Sequence, residues 1–250
     1  MRYFIYLSFK GTRYHGWQRQ PRSFSIQEVL ENVLTLKLGE EIIVTGAGRT
    51  DTGVHARNYC AHFDSSLENL GGNPEIIHKL NRFLPDHISI EKIIRVKPDA
   101  SARFSAISRT YVYRVAREKD PFDQEGSWYV YGDLDIKTMN LAAAMLMEYK
   151  DFASFCRSNT DVKTTLCNVS YARWLESGHS LEFTITSNRF LRNMVRAITG
   201  SMIDIGQGKT SLKDFKSIIE AKDRTMAGQS APAVGLYLTN IEYPDDIFIL

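Results

Sequence analysis

A chain of 250 residues, 43% apolar and 24% charged, has room for one large globular domain or two small ones. Thirty-one basic against 29 acidic residues leave a net charge of only +2, which by itself says nothing about nucleic acid. No run of 18 apolar residues offers a membrane span, and Met1-Arg2-Tyr3-Phe4 lacks a secretory layout, so a cytoplasmic protein is expected. Cys60, Cys156 and Cys167 are odd in number and form no C-x-x-C pair, which argues against a disulfide framework or a zinc site.

In chain order, Arg2 to Phe9 alternates like a half-buried strand. The loop from Lys10 to Arg22 mixes Tyr14, His15 and Trp17 with Arg13, Arg19 and Arg22, a composition suited to stacking on bases and neutralising phosphates. Trp17 is equally well read as a core anchor. Ser25 and Glu28 form a capping signature before a helix with Ile26, Val29, Leu30, Val33 and Leu34 as its buried stripe, ended by Gly39. Strands are expected at Ile42–Thr45, Asn58–Phe63 and His87–Val96, with a helix opened by Asn73 and Pro74 and stopped by Pro85. That order matches a ferredoxin-like α+β unit.

Ala102 to Arg117 reads as a long strand with Tyr111 and Tyr113 on one face. An alanine-rich helix runs from Asp135 to about Tyr149, followed by strands at Leu166–Leu175 and Ser180–Thr186. A helix from Phe190 to Ile205 would place Arg192 and Arg196, four apart, on one face, where they repel unless an anion lies between them. Ser211 with Asp214 caps one more helix, and Gly235 to Tyr243 closes the chain as a strand. The expected division is residues 1–105 and 106–250, each an α+β half. Charge is unevenly spread: residues 92–119 carry eight basic against two acidic groups, and 120–151 seven acidic against two basic.

The stretch with the most chemistry is GAGRTDTGVHA, residues 46 to 56. Gly46, Gly48 and Gly53 permit a tight bend that can present one polar side chain, Asp51, and Arg49 is near enough to pair with it and hold its charge. A carboxylate without a second one nearby in sequence suits a nucleophile or an electrostatic stabiliser. The plain alternative is a glycine turn with a surface Arg/Asp pair. Phosphate binding lacks the third glycine of a dinucleotide fingerprint and the Gly-Lys-Ser/Thr of a P-loop. An aspartic protease needs two carboxylates sharing a proton, and the chain holds one Asp-Thr-Gly beside a guanidinium.

The whole stretch resembles the nucleophile loop of the TruA-type tRNA pseudouridine synthases. Tyr14-His15-Gly16-Trp17-Gln18-Arg19-Gln20, Ser25-Ile26-Gln27-Glu28, Ala102-Arg103-Phe104-Ser105 and Ser108-Arg109-Thr110-Tyr111-Val112-Tyr113 resemble other segments of the same family. Asp151-Phe152-Ala153-Ser154-Phe155, Asn188-Arg189-Phe190-Leu191 with Met194-Val195-Arg196, and Pro232 with Gly235-Leu236-Tyr237-Leu238 follow in the family's order.

The resemblance implies two ferredoxin-like halves whose antiparallel sheets join across a central cleft. The implied reaction isomerises uridine to pseudouridine on the 3′ side of the tRNA anticodon arm, positions 38–40, by a homodimer that uses no cofactor or metal. Asp51 would be the nucleophile and Tyr111 would stack on the uracil. Arg49, Arg196 and Leu236 would line the substrate site, and Arg13, Arg19, Arg103, Arg189 and Arg192 would bind RNA. The chain departs from the pattern at Ala100-Ser101, where the family commonly has Phe-His, and at Thr52, commonly alanine. An RNA-binding or chaperone module and a base-releasing glycosylase are the alternative readings.

Overall fold

The computed structural model describes residues 1–158, 162–178 and 180–249, and their contacts divide the chain into two units, Met1–Ile107 with Tyr237–Leu250, and Ser108–Leu236. Both are mixed α/β.

In the first unit the N-terminal alternation becomes β1 (Arg2–Phe9), but Tyr3, Phe4, Ile5 and Leu7 are all fully buried. A half-buried strand was expected. The difference comes from the C-terminal segment, whose Tyr243 and Phe248 rings lie 4.9 Å and 6.3 Å from the Phe4 ring in edge-on contact. Helix α1 (Ile26–Leu38) starts at Ser25, whose hydroxyl accepts from the Glu28 N–H. Next come β2 (Thr45–Gly46), β3 (His55–Asp64), α2 (Pro74–Asn81), opened by the Asn73 side chain, and β4 (Ile88–Val96). β1 pairs antiparallel with both β3 and β4, and β2 pairs antiparallel with β3.

The β-branched run at 42–44 is not a strand. Its Val44 backbone is satisfied by α1 side chains instead: Val44 N–H donates to Glu31 Oε1 at 3.0 Å, and Gln27 Nε2 donates to the Val44 carbonyl at 2.9 Å. Helix side chains substitute for strand partners in both units. Asn81 of α2 bonds both backbone groups of Ile90, and in the second unit Asn140 does the same for Trp174.

The second unit begins with β5 (Ser108–Ala116), so residues 102–106 are a loop and not the start of the long strand expected. β6 (Trp128–Tyr129) pairs parallel with β5. Helix α3 (Ile136–Met145) continues as a short 3-10 turn to Glu148. β7 (Val169–Ser177) and β5 flank β8 (Ser180–Ser187), both antiparallel to it. Helix α4 (Met194–Gly206) is buried along most of its length, and α5 (Leu212–Ala221) carries the expected Ser211/Asp214 capping box.

β9 (Leu236–Glu242) starts on the last residue of the second unit and, from Tyr237 on, belongs to the first, where it pairs parallel with β3 at His55↔Tyr237 and Ala56↔Leu238. A sequence boundary at 105/106 leaves this returning segment with the second half. The β3 pairing, the Phe4 contacts and a bridge between Val96 and Phe248 tie it to the first. Among the described residues no helix is long and apolar enough to cross a membrane.

Candidate active site

The Asp51 loop is held from three sides by its own unit. Ala47 N–H donates to the Cys60 carbonyl at 2.9 Å, and the Tyr59 hydroxyl donates to the Gly48 carbonyl. On the second side, Trp17 N–H reaches the Thr50 carbonyl at 3.4 Å. That approach needs Gly16, which sits at φ +85°, because a Cβ there would stand 2.3 Å from the Thr50 oxygen. On the third side, Val54 N–H closes a turn onto the Asp51 carbonyl at 3.1 Å, with Gly53 at φ +80° in the third position as a type II turn requires. Asp51 is thereby fixed at the start of a tight bend, half-buried, between buried Thr50 and exposed Thr52.

Beyond the turn, His55 is fully buried and accepts from the Gly11 N–H at Nδ1, 3.1 Å, while its ring stacks on Tyr237 at 4.7 Å. An accepting Nδ1 leaves the proton of the neutral ring on Nε2. The Thr50 hydroxyl is the buried side-chain oxygen without a hydrogen-bond partner among the described residues. An orphaned hydroxyl is unusual in a packed interior.

Arg49, two residues before Asp51, is exposed. Arg13 is also exposed. Arg19 is turned onto α1, where it pairs with Glu31 at 3.3 Å and Glu28 at 3.6 Å, so it steadies that helix and its loop. Trp17, 2% exposed and 4.2 Å from the Tyr59 ring, is a core anchor under the Asp51 loop.

In the second unit Tyr111 lies on β5 opposite Ile185, half-buried, with its ring edge-on to Phe190 at 5.1 Å. Tyr113, two residues on, is fully buried, and its hydroxyl donates to the Pro232 carbonyl at 2.7 Å. Burial raises the Tyr113 phenol far above its ordinary range. Tyr113 is thus a structural strut. Arg196 sits in the first turn of α4 and donates from Nε to the Ala231 carbonyl at 2.7 Å, while Ala231 N–H returns to the Arg196 carbonyl at 2.9 Å. Arg224 adds bonds to the carbonyls of Ala227 and Gly228 and to Ser230. The segment leading to buried Leu236 is fixed in this way.

Arg192 and Arg196 do not share a helical face. Asn193 takes a left-handed conformation, φ +66°, and α4 begins only at Met194, so Arg192 lies outside the helix and is exposed. Arg189 is half-buried. Phe190, Arg224 and Thr50 carry contacts that no local sequence pattern singles out. Phe190 lies inside one of the family-like segments, but its packing on Tyr111 depends on the fold. Among the described residues no group of three or more His, Cys, Asp or Glu side chains is placed to hold a metal ion.

Residues 142–244 match the family model described as tRNA pseudouridine synthase. Over nearly the whole chain, 49% of residues are identical to a tRNA pseudouridine synthase A of Bacteroides thetaiotaomicron, covering 99% of this chain and 92% of that one. The chain belongs to the tRNA pseudouridine synthase family. Its Bacteroides fragilis relative of the same name is 50% identical, covering 99% and 98% of the two chains. The Bacillus licheniformis relative is 40% identical, covering 95% and 97%. Membership in this synthase family covers both units, because the matched relatives extend along essentially the full length.

Proposed function

We propose that the chain isomerises uridine to pseudouridine in the anticodon arm of tRNA, at positions 38–40, with Asp51 as nucleophile. The observation that carries this reading is the rigid presentation of one carboxylate by a glycine bend in a member of the synthase family. A stacked uridine must be extruded before its base can react. Asp51 attacks C1′ or C6, the C1′–N1 bond breaks, the base turns, C5 bonds to C1′, and the bond from Asp51 to carbon breaks to return the free carboxylate. C5 then loses its proton and N1 ends protonated, so atoms and electrons balance without an external donor. Tyr111 is assigned the face of the uracil, Leu236 its apolar floor, and Arg196 and Arg49 the phosphate or carboxylate charges. Arg13, Arg103, Arg189 and Arg192 are assigned to the RNA backbone.

A homodimer acting in the cytoplasm belongs to the same reading, as do two ferredoxin-like halves. The strand order β4-β1-β3-β2 with α1 and α2 in the first unit supports the latter.

The test is chemical mapping of pseudouridine in an unmodified tRNA transcript incubated with the purified protein. Conversion confined to positions 38–40 supports the proposal. Conversion elsewhere in the tRNA overturns the assigned target, release of free uracil favours a glycosylase, and binding without conversion favours an RNA-binding module.

A further inference from the structure

The loop at 101–105 is tied down by hydrogen bonds within the first unit, yet it holds out a large aromatic side chain. Arg2, itself forked onto Asp64, donates from Nη1 to the Ala100 carbonyl at 3.1 Å. Ala102 is gripped at both backbone groups: its N–H donates to His62 Nδ1 at 3.1 Å, and the Tyr243 hydroxyl donates to its carbonyl at 2.6 Å. Both grips are rooted in the core through Phe4, which touches the His62 and Tyr243 rings.

The two serines close the loop on itself. Ser101 N–H donates to Ser105 Oγ at 3.0 Å, Phe104 N–H donates to Ser101 Oγ at 3.3 Å, and Ser105 N–H donates to the Ser101 carbonyl at 2.9 Å. At the tip of this fixed loop Phe104 is 81% exposed, and the Arg103 guanidinium lies 5.2 Å from its ring centroid.

Flexible loops expose aromatics by accident, but a loop this constrained does so at a fixed place and angle. One face of the ring carries a cation, and such an aromatic and arginine pair suits an unpaired base beside a phosphate. We propose that Phe104 is a stacking platform for an unpaired nucleobase of the RNA substrate, a second RNA contact carried by residues outside the Asp51 loop. The inference rests on the reading of the chain as a tRNA-modifying enzyme. It also gives a definite role to Ser101, one of the two residues of the Ala100-Ser101 departure from the family pattern, because the Ser101 hydroxyl caps the amide of the residue that stacks.

The test compares wild type, Phe104→Ala and Phe104→Trp on an anticodon stem-loop RNA, scoring RNA affinity, pseudouridine yield, thermal melting and sedimentation. Loss of one stacked base is expected to weaken RNA binding by roughly 5- to 100-fold in Phe104→Ala with melting unchanged. Phe104→Trp should retain affinity, and its added fluorescence, taken as the difference from wild type, should be quenched by RNA. Affinity within twofold of wild type in Phe104→Ala overturns the proposal, as does a Trp signal indifferent to RNA. A changed association state with unchanged RNA affinity also overturns it and assigns the side chain to contact between copies. Failure of wild type itself to form pseudouridine would count against the proposed function and is scored separately from Phe104, whose RNA affinity is read directly.

Discussion

Two loops of the first unit hold a side chain in place by different means. Around Asp51 the hydrogen bonds run largely between backbone groups, and their close approach relies on the absence of side chains: Gly16 lets one backbone lie against another, and Gly53 takes the turn. Around Phe104 the hold is built from side chains, those of Ser101, Ser105, His62, Tyr243 and Arg2. The first leaves a half-buried carboxylate and the second an exposed ring. A close-packed hold fails abruptly when one methyl is added, whereas a network of hydrogen bonds loses strength one bond at a time.

The largest effect is expected from Gly16→Ala. A Cβ 2.3 Å from the Thr50 carbonyl, on a residue at φ +85°, forces the backbone next to Asp51 to move. A cost of about 2–4 kcal/mol, combining left-handed strain with overpacking, should appear in urea unfolding, together with a loss of turnover. A variant as stable and active as wild type would show that the loop is not held by close packing.

Ser101→Ala should cost less, about 1 kcal/mol, for the bond that the Phe104 amide loses. Hydrogen exchange at that amide is expected to quicken while the Asp51 loop amides keep their protection. Equal quickening in both loops would mean that they are not independent.

The smallest effect is a dependence on pH. Burial, with the nearby Arg2 charge, holds the His62 imidazole below its ordinary range against the opposing pull of Asp64. The unfolded chain therefore takes up a proton before the folded one does. Stability is full above the ordinary histidine value, about 6.5, and falls as pH drops from there through the lowered folded value. Protonation also removes the acceptor that Ala102 N–H uses. In His62→Asn this acid-side loss should shrink, as read by melting between about pH 7 and 5. An unchanged profile would remove His62 from the account.

Local features of the chain were legible in the sequence and nonlocal ones were not. Ser25, Asn73 and Ser211 mark helix starts because each cap bonds an amide two or three residues away. The Asp51 bend was visible for the same reason, its glycines lying in one short run. The 42–44 segment misled because β-branched residues report extended backbone and not what pairs with it, here Gln27 and Glu31 of a helix. The Arg192/Arg196 face failed on a single left-handed residue, Asn193. The return of β9 to the first unit, and with it the cover over Phe4, depends on pairing across about 180 residues that no local pattern encodes. Phe104 reads as one residue of a long strand in the sequence, whereas in the fold that strand begins only at Ser108.

The central claim is that Asp51 supplies the reacting oxygen, and the most direct measurement is single-turnover pseudouridine formation by Asp51→Asn beside its tRNA affinity. Asparagine keeps the size and the turn but removes the charge. The expected result is no pseudouridine above background with affinity within a fewfold of wild type. Substantial conversion by Asp51→Asn would contradict the account.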